Sequence, residues 1–262
     1  NFRLSSEEFV PFVLRSVLAF KESYGYNPVP SPQKIVVEHT SANPNGPLHV
    51  GTARNAFLGD ALVRMLRAKG HRVRAHFYVN DLGRQVAILA YGYWRLGRPK
   101  PTEKPDVWLG KVYAITNCLL EIQSLKKKLQ EASEEEAKKL RAKLDGLVGL
   151  AHELRQLAPQ AFDELSEKVM KEDAEAVVSE IMRGAEFGME PYSSLVREVA
   201  ELCLEGMRKS LENAGISFDS WDWESEFLWD GTVSSVLKRL MKTPFVRRVG
   251  GALVLDAGMV VD

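Results

Sequence analysis

The order of patterns across residues 34–79 constrains this chain more than anything else in it. Lys34–Thr40 (KIVVEHT) is a short β-branched run, the pattern of a buried strand. A turn-rich stretch, Ser41-Ala-Asn-Pro-Asn-Gly-Pro47, follows it. Phe57, Leu58, Ala61, Leu62, Met65 and Leu66 then form one stripe of a helix predicted from about Val50 to Lys69, with Gly70 as its stop. From His71 to Val79 the apolar residues alternate (Val73, Ala75, Phe77, Val79), which predicts a second strand. Another helix is predicted from Asp81 to about Leu96. Strand–helix–strand–helix order argues for a parallel sheet of the nucleotide-binding type.

The flanking regions differ in character. Residues 5–24 carry a helical pattern (Phe9, Phe12, Val13, Val17, Phe20) with Ser5 or Ser6 as N-cap. The prolines Pro28, Pro30 and Pro32 make a stiff connector after it. A Pro-rich boundary at 99–110 precedes two predicted antiparallel helices. One is stepped by Val112, Ile115, Leu119, Ile122, Leu125 and Leu129. The other opens on the capping-box run Ser133–Glu136 and continues through Leu154. Further helix is predicted at 160–183 and 192–213. Strand-like patterns return at Ile216–Phe218, Trp221–Trp223 and Gly251–Leu255, with a helix from about Thr232 to Met241 between. The helical block therefore reads as an insertion between two parts of an α/β domain. The first residue is Asn rather than Met, and the sequence stops in the strand-like run GGALVLDAGMVVD, so a piece of a longer protein is expected.

Composition removes several function classes. Lys+Arg and Asp+Glu are equal at 35 each, which excludes a globally basic nucleic-acid coat and an acidic disordered tail. The apolar run Val86–Trp94 is far shorter than the roughly 18 residues that span a bilayer. Cys118 and Cys203 sit in apolar helical patterns and are expected as buried free thiols of a reducing cytosol. The Lys126–Lys128 triplet reads as a solvated helix face, with nucleic-acid contact as the alternative. No Rossmann glycine fingerprint, P-loop or G-x-S-x-G elbow is present. His39, His49, His71, His76 and His152 lack metal-ligand spacing, so no metal site is expected.

The sharpest motif is Asn43-Pro-Asn-Gly-Pro-Leu-His49-Val-Gly51-Thr52, at the handover from the first strand to the first helix. In an open parallel sheet, ligands bind at the carboxyl ends of strands against helix N-termini. There His49 can donate a hydrogen bond to a phosphate, side-chain-free Gly51 lets a flat ring approach the backbone, and Thr52 can add a hydroxyl. A capped turn with a surface histidine is the plainer alternative.

The run VEHTSANPNGPLHVGTARNAFLGDALVRMLRAKGH (37–71), continuing through FYVNDLGRQ (77–85), resembles the signature region of arginyl-tRNA synthetase, a class I aminoacyl-tRNA synthetase. SFDSWDWES (217–225) resembles the archaeal-type branch of that family. The resemblance implies a Rossmann-like, HUP-type α/β catalytic domain with a parallel sheet, interrupted by a largely helical insertion. Its expected parts are 1–29 as the end of an N-terminal add-on domain and linker, and 30–98 as the first half of the catalytic domain. Residues 99–214 would be the helical insertion and 215–262 the return to the α/β region. His49 matches the first histidine of the family's HIGH motif and is expected to stabilise the ATP phosphates. Gly51 matches the glycine beneath adenine, and Thr52 stands where the strict motif has its second histidine. Asn43 is expected near both ATP and arginine, Glu38 on arginine, and Ser41, Asp81 and Gln85 in or near the arginine pocket. Gly46 stands where many relatives carry lysine. This implies reliance on a KMSK-type loop that would lie beyond Asp262, as would the anticodon-binding domain.

The implied activity is ATP-dependent activation of L-arginine to arginyl-adenylate, with transfer to tRNA(Arg). ATP with Mg²⁺ would be a substrate, and no tightly bound cofactor is expected. A cytoplasmic monomer without a membrane partner is also expected, and the 262 residues alone are expected to be inactive. The alternatives are a tRNA-independent nucleotidyltransferase of the same superfamily and a non-catalytic synthetase-like binding module.

Overall fold

The computed structural model describes residues 3–256 and 258–261. Asn1 and Asp262, on which the expectation about the chain ends rests, lie outside the described residues. Helix α1 (Ser6–Phe20) has no buried residue, so its predicted apolar stripe faces outward, with Phe12 at 66% exposure. Strand β1 (Lys34–Glu38) leads through the signature loop into α2 (Val50–Ala68). Gly70, at φ +82°, takes the left-handed backbone that ends this helix.

Strand β2 (Arg72–Val79) buries Val73, Ala75, Phe77 and Val79, the face its alternation predicts. It pairs in parallel with β1, in the register Lys34–Arg72 to Glu38–His76. Helix α3 (Arg84–Arg95) begins three residues later than predicted. Its N-cap is Gly83 at φ +88°, and Asp81 is drawn into the interior instead.

The helical block is α4 (Pro105–Glu131), α5 (Glu134–Leu157), α6 (Pro159–Lys171), α7 (Ala174–Glu186) and α8 (Tyr192–Asn213). The predicted capping box forms at the start of α5, with the Ser133 N–H donating to Glu136 at 3.2 Å. The helix expected over 160–183 is present in two pieces, because the chain turns extended at Glu172 and restarts on Asp173. The Asp173 carboxylate caps α7 by accepting the Ala176 N–H at 3.4 Å.

Strand β3 (Ser220–Trp223) adds to the free side of β2, also in parallel, so β2 is central and the order is β1-β2-β3. The strand expected at Ile216–Phe218 is a loop. The Asp219 carboxylate accepts the Ala75 N–H at 2.7 Å and its own N–H donates to the Ala75 carbonyl at 2.8 Å, and regular pairing begins only beyond this clamp. After α9 (Glu224–Trp229) and α10 (Thr232–Leu240), β4 (Val246–Val249) and β5 (Ala252–Leu255) form a separate antiparallel hairpin. The strand expected at Gly251–Leu255 thus exists, with a local partner the sequence reading missed. A one-turn helix, α11 (Gly258–Val261), follows.

The α/β class with a parallel sheet and a helical insertion is therefore what the chain adopts: all five insertion helices lie between the second and third strands. The main core runs from β2 through α3 into α4, α7 and α8, so sheet and insertion share one interior. Cys118 and Cys203 are both buried and free within it. Among the described residues no helix is long and apolar enough to cross a membrane.

Candidate functional site

The carboxyl ends of β1, β2 and β3 point to one region. Glu38 is the last residue of β1, and two consecutive left-handed residues, Thr40 at φ +69° and Ser41 at φ +40°, turn the chain sharply after it. For non-glycine residues this conformation costs of order 1–3 kcal/mol each and needs support from its surroundings. The Ser41 hydroxyl supplies it by donating to the Glu38 carboxylate and accepting the Tyr78 N–H at 3.0 Å, which ties the turn to β2.

Beyond the turn, the Asn43 amide donates to Gln85 Oε1 at 2.7 Å, and Asn45 donates to the same oxygen at 3.2 Å. Gln85 lies in the first turn of α3, so two signature-loop residues are hung on the helix that follows β2. Asn43 and Gln85 line a cavity of about 300 Å³ together with Asn80, Arg84, Glu186 and Glu224. The Asn80 amide donates to Asn43 Oδ1 at 3.2 Å, which ties the residue after β2 to the signature loop. Arg84 is drawn off by Glu175 at 2.7 Å, which leaves two carboxylates facing the cavity.

Burial pushes the Glu224 carboxyl above the usual range, and the neighbouring Asp81 and Glu186 carboxylates push it further. Burial also raises the Tyr78 phenol, with Glu224, Asp81 and Glu38 adding to the effect. The strand ends therefore carry a concentration of negative charge. Two carboxylates suit a cation with several N–H donors.

Asp81 does not line the cavity. It is fully buried, and its Oδ1 accepts the Ser225 N–H at 3.0 Å, which fixes the start of α9 just beyond Glu224. Its Oδ2 has no hydrogen-bond partner, and the nearest cation is Arg197 Nε at 3.9 Å. Arg197 itself stacks over Trp223, 3.8 Å from the ring centroid.

His49, Gly51 and Thr52 form a second cluster at the N-terminus of α2. His49 is the N-cap, and its Nδ1 accepts the Gly51 N–H at 3.1 Å. A Cβ on residue 51 would stand 3.0 Å from His49 Cε1, so Gly51 makes room for the imidazole to fold back over the helix end. The Thr52 hydroxyl accepts the His49 N–H at 2.9 Å and donates to the His49 carbonyl at 2.8 Å, completing a capping box.

The structure thus brings Glu38 with Ser41, Asn43 with Gln85, and His49 with Gly51 and Thr52, while Asp81 stands behind the cavity wall. Glu224, Glu186 and Asn80 are site residues that sequence reasoning missed. The signal for Glu224 and Asn80 was positional, since each directly follows a strand at the sheet edge where ligands bind. Among the described residues no group of three or more His, Cys, Asp or Glu could hold a metal ion.

Comparison with known proteins places the chain in a family. The family model described as tRNA synthetases class I (R), catalytic domain, matches residues 13–259. The arginine--tRNA ligase of Sulfurisphaera tokodaii is 44% identical over 241 residues, covering 90% of this chain and 39% of that protein. That of Saccharolobus solfataricus is 43% identical over 238 residues, covering 90% of this chain and 38% of that protein. The solved arginyl-tRNA synthetase of Thermus thermophilus superposes with a TM-score of 0.58 at 26% identity, over 99% of this chain and 34% of that one. The chain spans about two fifths of the length of the curated relatives it matches, 39% and 38%. A family match running from residue 13 to residue 259 leaves little of the chain outside it: the protein belongs to the class I tRNA synthetase family of the arginine type.

Proposed function

We propose that the intact protein is an arginine--tRNA ligase and that the carboxyl ends of its parallel strands, with the N-terminus of α2, bind arginine and the ATP phosphates. The observation that carries this reading is the acidic, amide-lined cavity of Asn43, Gln85 and Glu224 at the strand ends of a chain whose first α2 turn is capped by a histidine. In the reaction an arginine carboxylate oxygen attacks the α-phosphorus of Mg·ATP and pyrophosphate leaves. A terminal ribose hydroxyl of tRNA(Arg) then attacks the arginyl carbonyl and AMP leaves.

The residues act by charge and position rather than by a covalent step. Glu38, Ser41, Asn43 and Gln85 would hold the cationic amino acid, with Glu224 added to the set. Asp81 would act indirectly, by setting the chain next to Glu224. His49 would swing from its cap to donate to phosphate oxygens at the N-terminus of α2. Gly51 would leave space at the backbone for adenine, and the Thr52 hydroxyl, which holds the capping turn, would join His49 and Asn43 in binding ATP. The same proposal assigns 1–29 to the end of an N-terminal domain and 30–98 with 215–262 to the catalytic domain. It assigns 99–214 to an insertion, and takes the whole enzyme as a cytoplasmic monomer.

Pyrophosphate exchange into ATP, run on the intact protein with tRNA(Arg) present, tests the reading. Exchange that requires arginine is expected. Exchange independent of any amino acid would indicate a nucleotidyltransferase, and its absence with ATP still bound a binding module.

A further inference from the structure

The middle of the signature loop rests on the helical insertion. Pro47 packs onto Gly110 of α4 so closely that a Cβ on residue 110 would stand 2.8 Å from Pro47 Cδ and 3.3 Å from Gly46 Cα. Real carbon contacts do not close to the first of these distances, so any side chain there displaces the loop or the helix. On the neighbouring helix α8, the Cys203 thiol donates to the Gly46 carbonyl at 3.5 Å. Burial pushes that thiol up to about 12, so it stays protonated as a donor.

The two helices that hold the loop cannot easily yield. Gly206 of α8 lets the fully buried Asp106 at the start of α4 meet its backbone, where a Cβ would overlap the carboxylate. Lys104 pins Asp106 at 2.6 Å and Ser210 at 2.8 Å. Leu48, the next loop residue, packs against the shared core. His49 follows immediately, so the position of the α2 cap is set from the insertion as well as from the sheet.

We propose that Gly110 is a positioning residue: its bare Cα seats Gly46 and Pro47 against the insertion and thereby fixes where His49 meets its phosphate. The catalytic part of this inference rests on the synthetase reading, and the seating of the loop does not. A displacement of about 1 Å at a reacting group can cost about 100-fold in rate, so a shift of a few tenths of an ångström here is expected to be felt.

The experiment compares the intact wild-type protein with Gly110→Ala and Gly110→Ala/Pro47→Ala. Two readouts are taken: arginine-dependent pyrophosphate exchange, and amide hydrogen exchange of peptides covering 43–52. Gly110→Ala is expected to lower kcat by about 10-fold or more with KM for arginine little changed. It should speed amide exchange in 43–52 while α4 and α8 stay protected. Removing the proline ring in the double variant is expected to recover much of both.

Unchanged amide exchange in 43–52 overturns the proposal, as does a loss of protection spread over α4 and α8 or a double variant no better than Gly110→Ala. If Gly110→Ala does not fold, Pro47→Ala alone opens the same contact from the loop side; it is expected to speed amide exchange in 43–52 with α4 and α8 still protected, and unchanged exchange there overturns the proposal. A wild-type protein without arginine-dependent exchange, paired with a loosened loop in the variant, would leave the seating intact and remove the synthetase reading.

Discussion

Asn43 and Gln85 meet side chain to side chain at 2.7 Å, although 42 residues separate them. The bond joins the loop leaving β1 to the first turn of α3, so two consecutive strand-to-helix connections are held at one point. Asn45 donates to the same Gln85 oxygen, so two signature-loop amides converge on one acceptor beside the cavity. A site built this way has its amides oriented before any ligand arrives.

This contact predicts energetic coupling. Asn43→Ala and Gln85→Ala should each weaken arginine binding, and the double variant should lose less than the sum, by about 1 kcal/mol. A double-mutant cycle on arginine affinity of the intact protein measures it. Strict additivity would mean that the bond does not order the cavity.

The two residue clusters predict a split between rate and affinity. His49→Ala should cut the activation rate far more than it weakens arginine binding. It should also cost about 1 kcal/mol of stability, because the α2 cap goes with it. Glu38→Gln should weaken arginine selectively and leave ATP binding alone. Unchanged turnover in the first variant, or equal losses for ATP and arginine in the second, would refute these roles.

How much of this was legible beforehand follows from the range of the forces involved. The β1–α2–β2 unit was readable because periodicity and caps are local: alternation through β2 and the box at Ser133–Glu136 need only near neighbours. The loop at Ile216–Phe218 looked like a strand, because nothing nearby shows that Asp219 clamps Ala75 and delays pairing to Ser220. Glu38 and Asn43 stood out through their motif, whereas Glu186 and Glu224 enter the cavity only once the helical block, which carries the first and precedes the second, has folded. Asp81 carries a carboxylate at a plausible strand end, yet Ser225, distant in sequence, turns it inward.

Glu224 predicts a pH dependence of known sign. Burial, then Asp81 and Glu186, raise its folded pKa above the unfolded value. The native protein therefore holds this proton to higher pH than the unfolded chain does. Its contribution to stability falls as pH rises through the window just above the ordinary carboxylate range. Glu224→Gln cannot ionise, so denaturant unfolding should show this variant gaining on wild type from mildly acid to neutral pH. Arginine affinity should move the opposite way: it should rise with pH in wild type as the carboxylate charges, and be flatter and weaker in the variant. A variant with the wild-type slope in both measurements would remove Glu224 from the site.

Gly59 predicts a packing cost that also reaches the site. It is a buried residue on α2, and a Cβ there would overlap the ring of His39, which follows Glu38 directly. His39 cannot retreat, because its ring lies 4.5 Å from that of Phe218 and its Nδ1 is bonded to Thr40 Oγ1 at 3.0 Å. Alanine improves helix propensity by up to about 1 kcal/mol, and overpacking costs about 1–3 kcal/mol, so the balance is destabilising. Gly59→Ala should thus lower the unfolding midpoint. Because Thr40 and Ser41 hold their left-handed turn against His39, it should also weaken arginine binding. Gly59→Ala/His39→Ala should be less destabilised than the two single costs combined, since the second change removes the obstacle. A Gly59→Ala protein as stable as wild type would show that α2 can slide away from β1, and the rigid seat inferred for the turn would be wrong.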